Sequence, residues 1–200
     1  MKYGLVLGIL LLASGGALYA QVPRPSGVNT AVEASGGNKV LQLRYLAPSP
    51  WAVTSGSSDL DYGFLLSENR DIIASTALMF HTNLNIVPGL QIDVGPQGYL
   101  ALLSGVNKTD VFAVAFGVDA RYTLLPRWGI AAFGGAFYSP GVLTFGSAHN
   151  LYDFSAGAEV PFTSRLAAFA GYRWLKFTTV NEPDIRVQNE VFAGLRWKLK

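Results

Sequence analysis

The 200-residue sequence contains no cysteine and little charge. Without cysteine there is no disulfide framework, no thiolate metal site and no cysteine nucleophile. Charged residues make up 14%, against about 25% in ordinary soluble domains, so little of the chain is built to meet water. The two histidines, His81 and His149, stand too far apart in sequence for a zinc-ligand pattern. Fifteen basic and 13 acidic residues leave a net charge of +2, which makes no electrostatic case for a nucleic-acid partner. Past residue 20 no uninterrupted apolar run reaches the roughly 18–20 residues of a membrane-spanning helix. What the chain does have is apolar bulk. Half of it is hydrophobic, with 22 glycines, 12 phenylalanines, 9 tyrosines and 4 tryptophans, which excludes disorder.

Residues 1–20 read as a cleaved secretory signal peptide: Lys2, an apolar run over 4–13, small residues at 14–17, and Ala20 before Gln21. Cleavage after Ala17 is the other candidate, because Leu18 is large for the position three before the cut. The apolar run breaks after about ten residues, half of what a spanning anchor needs. Residues 21–27, with Pro23 and Pro25, are expected to form an extended periplasmic leader, and 28–200 the folded domain.

From Val28 onward the apolar period is two, the strand period. In 111–122, Phe112, Val114, Phe116, Val118, Ala120 and Tyr122 form one face, and Val111, Ala113, Ala115, Gly117, Asp119 and Arg121 the other. Tyr152, Phe154, Ala156 and Ala158 alternate with Asp153, Ser155, Gly157 and Glu159. Ala170, Tyr172 and Trp174 alternate with Phe169, Gly171 and Arg173, and Leu195 and Trp197 with Gly194 and Arg196. A soluble sandwich also alternates, with its polar face in water. Here the polar faces are small residues with isolated charges of both signs, while the apolar faces carry aromatics toward strand ends, as in interfacial girdles. Strands of about ten residues match a tilted membrane strand. The pattern predicts an all-β, antiparallel, up-and-down transmembrane β-barrel; a secreted soluble β-sandwich is the alternative.

Strands are expected near 28–35, 38–46, 58–67, 71–82, 89–102, 111–123, 127–138, 150–160, 165–178 and 187–199. Between the later strands, short connections (84–88, 124–126, 161–164) alternate with longer ones (103–110, 139–149, 179–186), and the same parity makes 68–70 an external hairpin and 48–57 an unusually long periplasmic connection. Outer-membrane barrels keep short turns and both termini on the periplasmic side. That parity gives ten strands, or eight if the first two segments lie outside the wall.

The order of elements resembles the YfaZ-like outer-membrane β-barrel family. The likeness rests on Phe169-Ala-Gly-Tyr-Arg-Trp-Leu175, the closing Val191-Phe-Ala-Gly-Leu-Arg-Trp197, the hairpin at Pro88-Gly89, and Gly95-Pro-Gln-Gly-Tyr-Leu100. The chain ends Trp197-Lys-Leu-Lys200, where outer-membrane strands commonly finish on an aromatic. The resemblance implies a small outer-membrane barrel and supplies no catalytic residues.

Arg44, Asp93, Asp119, Arg121, Asp153, Glu159, Arg173, Glu190 and Arg196 fall on the polar faces, five acidic and four basic. They are expected to form a lumen network of paired charges; a narrow selective pore is the alternative. Phe112, Phe116, Tyr122, Tyr152, Phe154, Tyr172, Trp174 and Trp197 are the expected lipid-facing belt. The one catalytic arrangement to weigh is a rim-active lipid hydrolase or acyltransferase centred on His149, with Ser147 and Asp153, which needs all three within hydrogen-bond reach. No calcium loop surrounds Asp59 and Asp61, and no cofactor or metal site is readable. The expected partners are outer-membrane lipid and, during insertion, the barrel-assembly machinery; the protein is expected to be a non-enzymatic monomer with a structural, surface or minor channel role.

Overall fold

The computed structural model describes residues 30–49, 58–82, 87–104, 109–179 and 183–199. The expected signal peptide and leader lie outside them. The described chain is antiparallel sheet: β1 (Ala31–Gly36), β2 (Val40–Pro48), β3 (Ser58–Ser67), β4 (Ile72–Thr82), β5 (Leu90–Leu103), β6 (Thr109–Leu125), β7 (Ile130–Ser139), β8 (Thr144–Gly146), β9 (Ala148–Pro161), β10 (Leu166–Thr179) and β11 (Ile185–Lys198). Each wall strand pairs with its chain neighbours, β7 with β9, and β1 closes on β11. The result is a closed ten-stranded barrel with β8 added to it. No helix among the described residues is long and apolar enough to cross a membrane.

Register fixes the shape. Partners followed from Gly36 through Leu41, Leu66, Ile72 and Leu102 reach Asp110 on β6. Followed the other way, through Ala193, Ala170, Ala158 and Ala132, they reach Tyr122. The slip from Asp110 to Tyr122 is a shear of twelve residues, and such shear goes with strands tilted about 35–45° to the barrel axis. One end of the barrel carries the start of β1 and the end of β11 and is called the terminus end; the opposite end carries the β1–β2, β3–β4, β5–β6, β7–β9 and β10–β11 connections and is called the loop end.

Glycines let this narrow barrel pack large rings inside. On β10 and β11, Phe169 faces Gly194 and Phe192 faces Gly171 in register. A side chain on Gly194 would strike the Phe169 ring, and one on Gly171 the Phe192 ring. The repeated Phe-Ala-Gly in these strands is thus a reciprocal ring-on-glycine lock. Phe133 lies over Gly157 and Phe137 over Gly117 in the same way, and Phe169 contacts Phe133 and Phe192 edge-on.

β8 was not expected. After β7 the chain makes a 3-10 turn at Gly141–Leu143, and β8 then pairs with Val111–Ala113 of β6, extending the wall where β7 stops. Gly146, at φ +96°, packs directly on the Asp110 carbonyl. Phe145 stacks on Phe112 at 6.0 Å. The expected loop at 139–149 is therefore largely ordered wall, and His149 lies on β9.

Candidate functional site

The inward faces divide by height. In the loop-end half they are mainly apolar: Val40, Leu65, Ile73, Leu103, Val111, Leu151, Leu175, Phe177 and Val187 form one buried cluster, with Val111, Leu151, Leu175 and Phe177 at zero exposure, beside the buried polar Ser35, Ser139 and Gln188. This departs from an interior that is polar throughout. Alternation assigns residues to a face, whereas height depends on the shear accumulated around the barrel.

A middle layer follows. Arg173 donates from Nε to Asp153 Oδ1 at 2.9 Å, from Nη2 to Asp153 Oδ2 at 2.6 Å, and from Nη1 to Gln42 Oε1 at 2.9 Å. The Tyr99 hydroxyl donates to Asp153 Oδ2 at 2.7 Å. All four groups are buried or nearly so, and the carboxylate has its acceptor sites filled by a cation and a phenol. That satisfaction is what makes an interior charge tolerable.

Toward the terminus end a chain of alternating charge crosses six strands. Arg121 donates two bonds to Glu159, at 2.8 and 2.7 Å. Arg196 bonds Glu159 and, from Nε at 2.5 Å, Glu33. Glu33 also meets Arg44 at 3.5 Å, and Arg44 forks onto Asp61, with Nε at 3.1 Å from Oδ2. Glu33 sits on β1 between Arg196 on β11 and Arg44 on β2, its register partners. It therefore braces the seam at which the barrel closes. A separate group joins His81 to Asp93 through Nδ1 at 2.6 Å and to Asp59 through Nε2 at 3.0 Å, with Gln91 Nε2 donating to Asp93 at 2.9 Å.

The structure thus brings Arg44, Arg121, Glu159 and Arg196 into one network and Arg173 and Asp153 into another. Asp93 pairs with His81 rather than with an arginine, and Asp119 makes no direct ion pair among the described residues. Glu190 differs from expectation. It lies at the loop end, where its carboxylate accepts from the backbone N–H groups of Asn38 and Lys39, each at 3.0 Å. It caps the β1–β2 turn because β11 outruns β1 there. Glu33 was missed because Ala31-Val-Glu-Ala-Ser35 holds a single bulky apolar residue, although a lone acid in the middle of an alternating stretch was the available signal. Asp59, Asp61 and His81 were visible as same-face polar residues, and Tyr99 and Gln42 gave no chemical signal.

The outer face is apolar and aromatic. Phe112, Phe116, Tyr122, Phe154, Tyr172 and Trp197 are exposed there, whereas Tyr152 and Trp174 are half-buried in a ladder running Tyr138, Tyr152, Trp174, Phe154 with ring separations of 5.0–6.1 Å. The Tyr172 hydroxyl bonds Asn189, and the Tyr138 hydroxyl bonds Asn150. Outside the strands, the hydrogen bond from Lys176 holds the Asp184 carboxyl below the usual carboxylate range, with Nζ and Oδ2 2.5 Å apart.

Ser147, His149 and Asp153 are not brought together. Ser147 and His149 are exposed, while Asp153 is buried inside and committed to Arg173 and Tyr99. Four residues along a strand also separate His149 from Asp153 by about 13 Å. Among the described residues no group of three or more His, Asp or Glu side chains is arranged to hold a metal ion.

Solved structures with similar folds are a bacterial polysaccharide outer membrane secretin (10% identity, TM-score 0.49, covering 85% of this chain and 70% of that one), the NanC porin (8%, 0.43, 85% and 100%), and the KdgM porin in complex with disordered oligogalacturonate (9%, 0.45, 86% and 100%). No curated protein matches the sequence. The family model described as YfaZ precursor matches residues 54–199, from just before β3 to the end of β11, and the chain belongs to that family.

Proposed function

We propose that this protein is a small, non-enzymatic barrel of the bacterial outer membrane, exported through residues 1–20, whose lumen is closed rather than conducting. Its apolar outer wall faces lipid, its short turns and termini face the periplasm, and it acts as a monomer after insertion by the assembly machinery. One observation carries the closed-lumen reading: zero-exposure apolar side chains fill the loop-end half, and Arg44, Arg121, Arg173 and Arg196 are each paired with carboxylates. A conduit for acidic solutes needs arginines with spare donors facing a continuous opening. Ten strands also enclose far less space than the 16–18 that leave an aqueous channel.

Planar-bilayer recording tests this reading. Wild-type protein is expected to give no reproducible single-channel steps, and steps that change in Arg121→Ala or Arg173→Ala would establish the narrow channel instead. Recovery of folded protein from the soluble periplasm without detergent would contradict the membrane location.

A further inference from the structure

The outer wall has a recess at the terminus end. It holds about 260 Å³ and is lined by Thr163, Arg165, Leu166 and Trp197. Leu166 on β10 and Trp197 on β11 are register partners, and Thr163 and Arg165 belong to the β9–β10 turn beside them. The lining is reached from outside: Thr163 and Arg165 are exposed, Leu166 is half-buried, and Trp197 is 60% exposed. The turn is held in one shape. Phe162 and Thr163 donate backbone N–H groups to the Leu166 carbonyl at 2.9 and 3.1 Å, and Lys198 donates to the Arg165 carbonyl at 2.8 Å. Thr163 Oγ1 accepts from the backbone N–H groups of Arg165 and Leu166, at 3.2 and 2.9 Å.

The polar side chains of the recess offer only donors. With two N–H groups already on Thr163 Oγ1, its hydroxyl has a hydrogen left to give. The Arg165 guanidinium and the Trp197 indole N–H have no acceptor capacity, and neither makes a hydrogen bond or ion pair among the described residues. The surroundings point the same way. The terminus-end connections 49–57, 83–89, 126–129 and 162–165 contain Arg127 and Arg165 and no acidic residue, whereas the loop-end connections carry both signs. Toward mid-wall, β10 turns only Ala168 and Ala170 outward before Tyr172, so a flat apolar strip rises from the recess.

We propose that this recess binds the phosphodiester of a phospholipid in the terminus-side leaflet. The Arg165 guanidinium forks onto the phosphate oxygens, the Trp197 indole N–H and the Thr163 hydroxyl complete the donor set, and one acyl chain lies along Leu166, Ala168 and Ala170. Unmatched donors call for an anion. A recess in an apolar outer wall calls for a tail on the same molecule, and a tryptophan at the edge of such a wall sits at headgroup level. The inference rests on the outer-membrane reading above.

The test uses the full-length mature protein in vesicles of phosphatidylethanolamine and phosphatidylglycerol, with a trace of phosphatidylglycerol carrying a photoreactive group at the top of one acyl chain. Adducts are expected to concentrate on 163–168 and 195–197, several-fold above those at Phe80, which is exposed at the terminus end of β4, five strands away. Arg165→Gln is expected to lower the phosphatidylglycerol retained through detergent extraction by about three- to tenfold, the worth of a lost hydrogen bond. Trp197→Phe keeps a ring and gives up the N–H, with a smaller loss. Both side chains are exposed, so heat-modified gel mobility should match the wild type, which separates loss of the site from a folding defect. Arg127→Gln removes the same charge from the neighbouring turn and is expected to leave retention unchanged. Equal losses in Arg127→Gln and Arg165→Gln overturn the site in favour of diffuse attraction. Even labelling of inserted protein, or unchanged retention in Arg165→Gln, overturns the site and leaves the membrane reading standing. If the protein does not enter the vesicles, the membrane reading falls and the site with it.

Discussion

Glu33 illustrates how one buried side chain governs this architecture. Its carboxylate is 4% exposed and takes bonds from arginines on both flanking strands. Removing its charge leaves Arg196 on Glu159 and Arg44 on Asp61, so each cation keeps one carboxylate and the cost stays below the about 3–5 kcal/mol of breaking a buried pair from one side. Glu33→Gln is therefore expected to lower the unfolding free energy in detergent by less than that, measured by urea titration. Arg44→Ala should cost more, since it leaves the buried Asp61 carboxylate with no other ion-pair partner among the described residues. Gly171→Val drives the added carbon into the Ala156 carbonyl oxygen and presses on the Phe192 ring and the backbone of Gly157, both 3.0 Å away; overpacking costs about 1–3 kcal/mol or more, read as a lower midpoint of heat-modified gel mobility. His149→Ala is expected to leave membrane lipid composition unchanged, and an altered acylation pattern would restore the enzymatic reading.

At the scale of elements, β8 depends on a single backbone conformation. Gly146 at φ +96° lies in a region that side-chain-bearing residues avoid, and any Cβ there collides with the Asp110 carbonyl. Gly146→Val is expected to free β8 from β6, seen as faster amide exchange at Val111 and Ala113 with the rest of the barrel unchanged. Most wall strands were legible in the sequence because they hold a period of two over enough residues to be seen, with 58–67 matched at both ends; the first, 28–35, alternates weakly and was reached only through the even strand count. β8 was not legible, since three residues carry no period, and its pairing depends on where β7 stops. The lumen was half legible for a related reason. Alternation put Arg121, Glu159 and Arg196 on one face, but which of them meet, and that Leu151, Leu175 and Phe177 seal the loop end, follows from register accumulated over the closed sheet.

At the scale of the whole molecule, low charge becomes a matter of distribution. Ion pairs gather in the terminus-end half and middle of the lumen, apolar side chains fill the loop-end half, and the outer wall is nearly uncharged. On the proposed closed-lumen reading, the barrel is a cup rather than a tube. Solute entry from the terminus end without passage is the expected behaviour: a small thiol reagent should modify Asp61→Cys from that side only, while reagent applied to intact cells leaves it unmodified.

The seam has a consequence in time. Closing the wall joins residues 31–36 to 193–198, almost the full length of the described chain, and contacts so distant in sequence are slow to form. The sheet between them can zip hairpin by hairpin, each pairing local, yet the cylinder is completed only when its first and last strands meet. A chain cut before β11 would leave β1 and β10 as open edges, each a template for aggregation. Loss of the last strand should therefore abolish the folded state altogether rather than yield a smaller barrel.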